Sequence, residues 1–314
     1  MKYERLENTF FEEGTLQEVF GDNYDRFKFP GNIARVTAGQ GGEVLLISGS
    51  EKKVLIDCGM AYCGKQMAVN VVRLTNRLDY VLLSHSHYDH IGALPYIRER
   101  FPEVVVCGSA KCASIITRDS ARELMVQLGE EARDLYMPGS EAEIRVDGLN
   151  IDRVLADGDL IELGDGQTIT AYETLGHTDC SLSYFLEPER VLFASESTGI
   201  LEGPEYVHTP CLKCFSDSLE SSQRCRELSP AHICLPHFGM LPPVLLDRYF
   251  DMFDDEVERK LEFVRTMKDD GLTESQMLER YLKRYWTPEK EIEQPYEAFV
   301  VNAGHILKAL LREL

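Results

Sequence analysis

Apolar residues come in short strand-like runs through most of the chain and in helical stripes near its end. Runs over 33–36, 43–47 and 53–56 are β-branched and separated by glycine-rich turns, which predicts three strands. Val69, Val72 and Leu74 set a helical period over 67–78, and a strand follows over 80–83. A helix over 91–101 stops at Pro102, and the continuous run 104–107 reads as an interior strand. Residues 110–137 read as a helical insertion closed by Pro138-Gly139-Ser140. Strand patterning returns over 144–185, punctuated by Asp157-Gly158-Asp159, Gly164-Asp165-Gly166 and Glu187-Pro188-Glu189. Strands at 190–194 and 233–235 flank an irregular stretch, 199–214, and a helix over 216–227.

After Pro242-Pro243 the pattern turns helical. Phe250, Phe253, Val257, Leu261 and Val264 form one stripe. Thr273 and Gln276 have capping-box spacing, Thr287-Pro288 opens another helix, and 298–311 is apolar on one face. Strands followed by helices, twice over, predict an α/β protein built as two βα halves facing each other. The expected division is a core over 1–243 and a helical region over 244–314 packed on it. The core carries an N-terminal extension over about 1–30 and the insertion near 110–140. The last stripes are expected to cover the core, with a homo-oligomer contact as the sharper alternative.

The chemistry concentrates at the end of the fourth strand, in Ser84-His85-Ser86-His87-Tyr88-Asp89-His90. In an extended segment alternate side chains share a side, so His85, His87 and Asp89 are in phase. His90 joins them once the chain turns into the helix that follows. Such a set of nitrogen and oxygen donors suits zinc, manganese or iron. His177, Glu196 and His237 repeat the arrangement, each following an apolar run and lying among small or turn-forming residues. Sites in α/β folds gather where strands end, so four such positions point to one shared site. Asp57, also at a strand end, reads as a buried carboxylate that ties loops together. Tyr88 reads as a packing residue, and the Cys211-x-x-Cys214 pair as ordinary thiols.

These segments resemble the metallo-β-lactamase fold superfamily, in its glyoxalase II-like, general metal-dependent hydrolase branch. Asp57-Cys58-Gly59, the His85–His90 cluster, Gly176-His177-Thr178, Ser195-Glu196 and His237 stand in that family's motif order over residues 32–240. The resemblance implies a four-layer αβ/βα sandwich with a C-terminal helical extension and a dinuclear metal site. It places His85, His87 and His177 on one cation and Asp89, His90 and His237 on the other. Glu196 stands where the family usually has a bridging aspartate. The implied cofactors are two divalent ions, zinc first, with iron or manganese as alternatives. The implied reaction is hydrolysis of a small ester, thioester or lactone by water that the metals acidify, with Asp89 as the catalytic carboxylate. An iron-dependent oxidoreductase of the same fold, a sulfur dioxygenase or di-iron type, is the alternative.

Charge and cysteine usage narrow the partners. A net charge of -20 in 314 residues disfavours nucleic-acid phosphates. No apolar run is long enough to span a bilayer, and the N-terminus lacks a signal core. Nine cysteines without a framework fit a reducing, cytoplasmic setting. A small-molecule substrate remains.

Overall fold

The computed structural model describes residues 29–203, 206–292 and 294–314. The expected extension over 1–30 lies almost wholly outside them. Two six-stranded sheets face each other. The first has the order β1 (Ile33–Arg35), β2 (Leu45–Ser48), β3 (Lys53–Ile56), β4 (Tyr80–Leu82), β5 (Val105–Gly108) and β6 (Arg153–Val154). Its first three strands form an antiparallel meander, and β3 to β6 run parallel. The second has the order β14 (Gly239–Met240), β13 (His232–Leu235), β10 (Val191–Phe193), β9 (Leu182–Glu187), β8 (Gln167–Glu173) and β7 (Leu160–Gly164). There β10 and β13 are parallel and the other pairs antiparallel.

Alternate residues of the interior strands are buried on opposite faces of each sheet. Leu45, Ile47, Val54 and Ile56 point into the space between the sheets, where they meet Ile169, Leu186, Val191 and Phe193. Leu46 and Leu55 point the other way, toward helix α1 (Gly64–Leu74), whose Met67 and Val71 share their cluster. In the second sheet Leu192, Ile233 and Leu235 face outward. They are covered by α6 (Phe215–Glu227), α7 (Tyr249–Asp269), α8 (Glu274–Tyr285) and α9 (Tyr296–Glu313). The result is helices, sheet, sheet, helices, with apolar residues filling each gap. Among the described residues no helix is long and apolar enough to cross a membrane.

Several elements depart from the pattern. The 91–101 helix is two pieces, α2 (Tyr88–Ile91) and α3 (Leu94–Arg100). The break is held by the bond from Ala93 N to Gly59 O, 3.1 Å. Gly92 permits it, because a Cβ there would come within 2.6 Å of Tyr88 O and Ala61 N. The 110–137 insertion divides into α4 (Ala110–Ile116) and α5 (Asp119–Tyr136). Between them the Thr117 hydroxyl turns back onto Ala113 O at 3.1 Å, a local bond that competes with helix continuation. The supposedly irregular 199–214 contains a hairpin, β11 (Ile200–Gly203) and β12 (Tyr206–His208). Its strands were too short to stand out by periodicity. The capping box at Thr273 and Gln276 forms as expected. The stripe on α7 differs by one residue from expectation: Leu261 is half-buried, and the fully buried position beside it is Lys260.

Candidate metal centre

Four strand ends deliver the polar residues. His85 and His87 lie in the extended segment after β4, and α2 then carries Asp89 and His90. His177 follows β8, Glu196 follows β10 on a turn capped by Ser195, and His237 follows β13. The two sheets face each other, so all seven side chains converge. The donor atoms of His85, His87, His177 and Glu196 lie within 4.8 Å of one another, and those of Asp89, His90 and His237 form a second set of the same kind. The division is the one the family resemblance implied, with Glu196 added to the first set.

The backbone is shaped for this approach. Gly42 leaves room for the His90 ring, since a Cβ there would stand 2.6 Å from its Nδ1. Asp57 ends β3 with φ at 57° and acts as the expected tether. It accepts from Ser84 N and Ser84 Oγ, each at 2.7 Å, and from His90 Nδ1 at 2.9 Å. This is the outer support that fixes ligand orientation in metal sites.

The same contacts settle where the protons are. Pro210 O can only accept, so His177 Nδ1 carries the hydrogen in their bond. The Asp57 carboxylate likewise takes the hydrogen of His90 Nδ1. Ser84 Oγ donates to Asp57, so it accepts from His85 Nδ1 at 3.0 Å. In all three rings Nε2 is left with a lone pair turned inward. His85 Nε2 is buried and, among the described residues, makes no hydrogen bond, with Glu196 Oε1 3.5 Å away. His90 Nε2 faces Glu196 Oε1 at 3.0 Å and His237 Nε2 at 3.3 Å. His177 Nε2 faces His87 Nδ1 at 3.1 Å and Glu196 Oε2 at 3.4 Å. Asp89 Oδ2 lies 3.5 Å from both His90 Nε2 and His237 Nε2.

Lone pairs facing lone pairs repel unless something positive lies between them. Protons are one answer. Burial pulls His90 and His237 down, but facing carboxylates outweigh it and hold both above the usual histidine range. His85 and His87 go the other way: burial and neighbouring histidines depress His85 strongly and His87 to about 4. Burial raises Glu196, yet His177 and His237 hold it well below the usual carboxylate range. A cation is the better answer, because it serves every donor at once. Zinc–nitrogen bonds of about 2.0–2.1 Å give tetrahedral donor–donor edges of about 3.3–3.4 Å. The nitrogen separations of 3.1–3.3 Å fit that spacing. The residues present therefore fit divalent metal.

Other candidates are placed as follows. Tyr88 packs against the helix layer beside the first sheet. Cys211 is buried, with its thiol on Gly176 O, and Cys214 is a separate half-buried thiol. His208 is buried, and its electrostatic neighbours include Glu196 and His177. The sequence reading passed over Lys260 altogether. Its position in the period of Phe253, Val257 and Val264 was the available signal.

Comparison with known proteins gives the lineage. The profile of the metallo-beta-lactamase superfamily matches residues 39–237. A metallo-beta-lactamase fold-containing protein of Sulfurisphaera tokodaii is 25% identical over 207 residues, 66% of this chain and 76% of that one. A hydroxyacylglutathione hydrolase of Klebsiella pneumoniae is 27% identical over 108 residues, 34% of this chain and 29% of the enzyme. A beta-lactamase domain protein from Burkholderia ambifaria has the same fold at a TM-score of 0.65 and 14% identity, covering 91% of this chain and 86% of that one. With the profile spanning well over half its length, this chain belongs to the metallo-beta-lactamase superfamily.

Proposed function

We propose that the protein is a hydrolase of a small ester, thioester or lactone, dependent on two divalent metal ions of which zinc is the first choice. His85, His87, His177 and Glu196 would hold one ion, and Asp89, His90 and His237 the other. The observation that carries the reading is the convergence of five imidazoles and two carboxylates in a buried site, with His85 Nε2 making no hydrogen bond among the described residues. The named activity of the Klebsiella relative supports the hydrolase class over the shared segment. Bound there, the ions would lower the pKa of water and polarise a carbonyl oxygen.

The chain's own residues then have distinct tasks. Asp57, Ser84 and Pro210 fix three rings as Nδ1–H tautomers. Asp89 has the most exposed side chain of the two carboxylates at the centre, at 15% against 7% for Glu196. It is the one that can meet a water and substrate entering from solvent, orient the water and take its proton. Glu196 stays buried among four histidines and neutralises charge.

The test is elemental analysis of the purified chain followed by a screen of esters, thioesters and lactones. Two equivalents of zinc and turnover of one of these classes support the proposal. Bound iron and oxygen consumption with a sulfur substrate, and no hydrolysis, would replace it with the oxidoreductase reading. A nitrogen and oxygen donor set suits iron as well.

A further inference from the structure

Two buried thiols meet beside the metal centre. Cys112 lies on α4, and Cys180 lies three positions after His177, just ahead of β9. Both are free and enclosed, at 0% and 1% exposure, in one apolar cluster. The Ser109 hydroxyl ties their backbones together: it accepts from Cys112 N at 3.1 Å and donates to Cys180 O at 2.8 Å. Lys111 and Asp179, one residue before each cysteine, pair at 3.1 Å and span the same two segments from outside. The two thiols hydrogen-bond to each other. Segments joined this closely suit a disulfide, whose Cα atoms lie about 4.4–6.8 Å apart.

The surroundings of Cys180 differ from those of the other buried cysteines. Burial pushes the thiols of Cys63, Cys107, Cys211 and Cys225 up to about 12. Cys180 is lowered to about 6: the Cys112 thiol lowers it most, burial opposes, and the Ser86 and Thr178 hydroxyls add to the lowering. Those hydroxyl oxygens lie 3.5 and 3.3 Å from its sulfur. Cys112 is raised by the same partnership and by burial. A stabilised thiolate beside a protonated thiol is the arrangement of an attacking and a resolving cysteine. Neither serves the metals directly, yet Cys180 supports two ligand segments. It shares a loop with His177, and it touches Ser86, which stands between His85 and His87.

We infer that Cys112 and Cys180 form an oxidation site for hydrogen peroxide, closing to a disulfide that loosens the adjacent metal centre. The disulfide is independent of the hydrolase reading; its effect on metal rests on the metal-centre part of that reading. The Cys180 thiolate attacks one peroxide oxygen, the O–O bond breaks, and hydroxide leaves and takes up a proton as water. Cys112 sulfur then attacks the Cys180 sulfenic acid: the S–S bond forms, the S–O bond breaks, and hydroxide leaves with the Cys112 proton as a second water. Two thiols are oxidised and one peroxide is reduced. Enclosure keeps out a protein oxidant, whereas a molecule little larger than water enters past the half-buried His87. A disulfide sulfur carries neither charge nor hydrogen, so the contacts with Ser86 and Thr178 weaken and the segments of His85, His87 and His177 lose a shared support.

The experiment treats the zinc-loaded protein with a few equivalents of hydrogen peroxide, alkylates the remaining thiols and maps the digested peptides by mass spectrometry. The first product should join the Cys112 and Cys180 peptides, ahead of oxidation at the half-buried Cys214, and dithiothreitol should reverse it. Competition with a chelator should show zinc held about tenfold or more weakly after oxidation, the loss expected when support of metal ligands is removed. In Cys112→Ser the resolving thiol is gone, so Cys180 should stop at the sulfenic acid and be trapped by dimedone. Cys112 and Cys180 remaining reduced in the wild type while Cys214 is consumed overturns the inference. A Cys112–Cys180 disulfide that leaves zinc affinity unchanged overturns its coupling to the metal centre. A protein that binds no zinc removes the metal-centre reading, and the peptide map still decides the disulfide.

Discussion

Two buried polar clusters lie side by side in this protein, and they differ in kind. Around His85 and His90, nitrogen lone pairs and carboxylates face inward and protons are turned away. Around Lys260, hydroxyls, an ammonium and a Glu256 carboxylate oxygen are buried together, so donors and acceptors are mixed. Neither arrangement satisfies itself, which is unusual because buried polar groups are nearly always paired. The first presents donor atoms of one kind and fits cations; the second mixes donors with an acceptor and names no ligand. The contrast teaches that an unmet hydrogen-bonding inventory points to a ligand only where its groups share one sign.

The largest test of that contrast is removal of the cation. Chelation should lower hydrolytic turnover by about three orders of magnitude or more, since metal stabilisation of developing charge is worth several kcal/mol. It should also lower the melting temperature, because a ligand that binds only the folded state stabilises it. Both should return on adding zinc. A chelated protein with full activity would mean that protons alone resolve the facing lone pairs.

Next in size is Asp89→Asn at full metal loading. The amide keeps the shape and loses the basicity, so kcat should fall about a hundredfold or more while KM changes little. Wild-type kcat in this variant would assign the proton to another group. Glu196→Gln should act more mildly and differently. Glu196 Oε1 and Oε2 face histidines assigned to both ions, so the amide should weaken metal binding about 10–100-fold, read by titration with a competing chelator. Unchanged metal affinity would show that glutamate does not replace the family's bridging aspartate.

The two clusters were unequally legible. The motif from His85 to His90 packs its donors into one short segment, where strand alternation alone puts them in phase. His177, Glu196 and His237 arrive singly, and only their shared position after apolar runs linked them. The sheets were readable because their interior strands bury both faces, as Leu45, Leu46 and Ile47 show. The Lys260 cluster was not, since it is assembled from a hairpin too short to show a period and from helices far along the chain. Lys260 was hidden by a reasonable rule: lysine in a helix reads as solvated, so the stripe was assigned to Leu261. Only tertiary packing decides which neighbour turns inward.

The smallest effect sharpens the contrast most. Lys260 has a folded-state pKa of about 7 against an ordinary 10.5, through burial, with Glu256, Lys290, Glu202 and Cys211 acting on it as well. The Tyr285 ring lies 5.1 Å from the ammonium, and His208 is within its electrostatic reach. Between those pH values the unfolded chain binds a proton that the folded chain does not, so stability from this residue rises with pH across the window. The cost of burying the ammonium is absent above the unfolded value, grows as pH falls through the window, and is complete below about 7. Lys260→Met removes that cost. Its melting temperature should exceed wild type by several degrees near pH 6 and converge on it near pH 10, read by calorimetry at matched metal content. A variant less stable than wild type at every pH would make Lys260 a structural tie to Thr209.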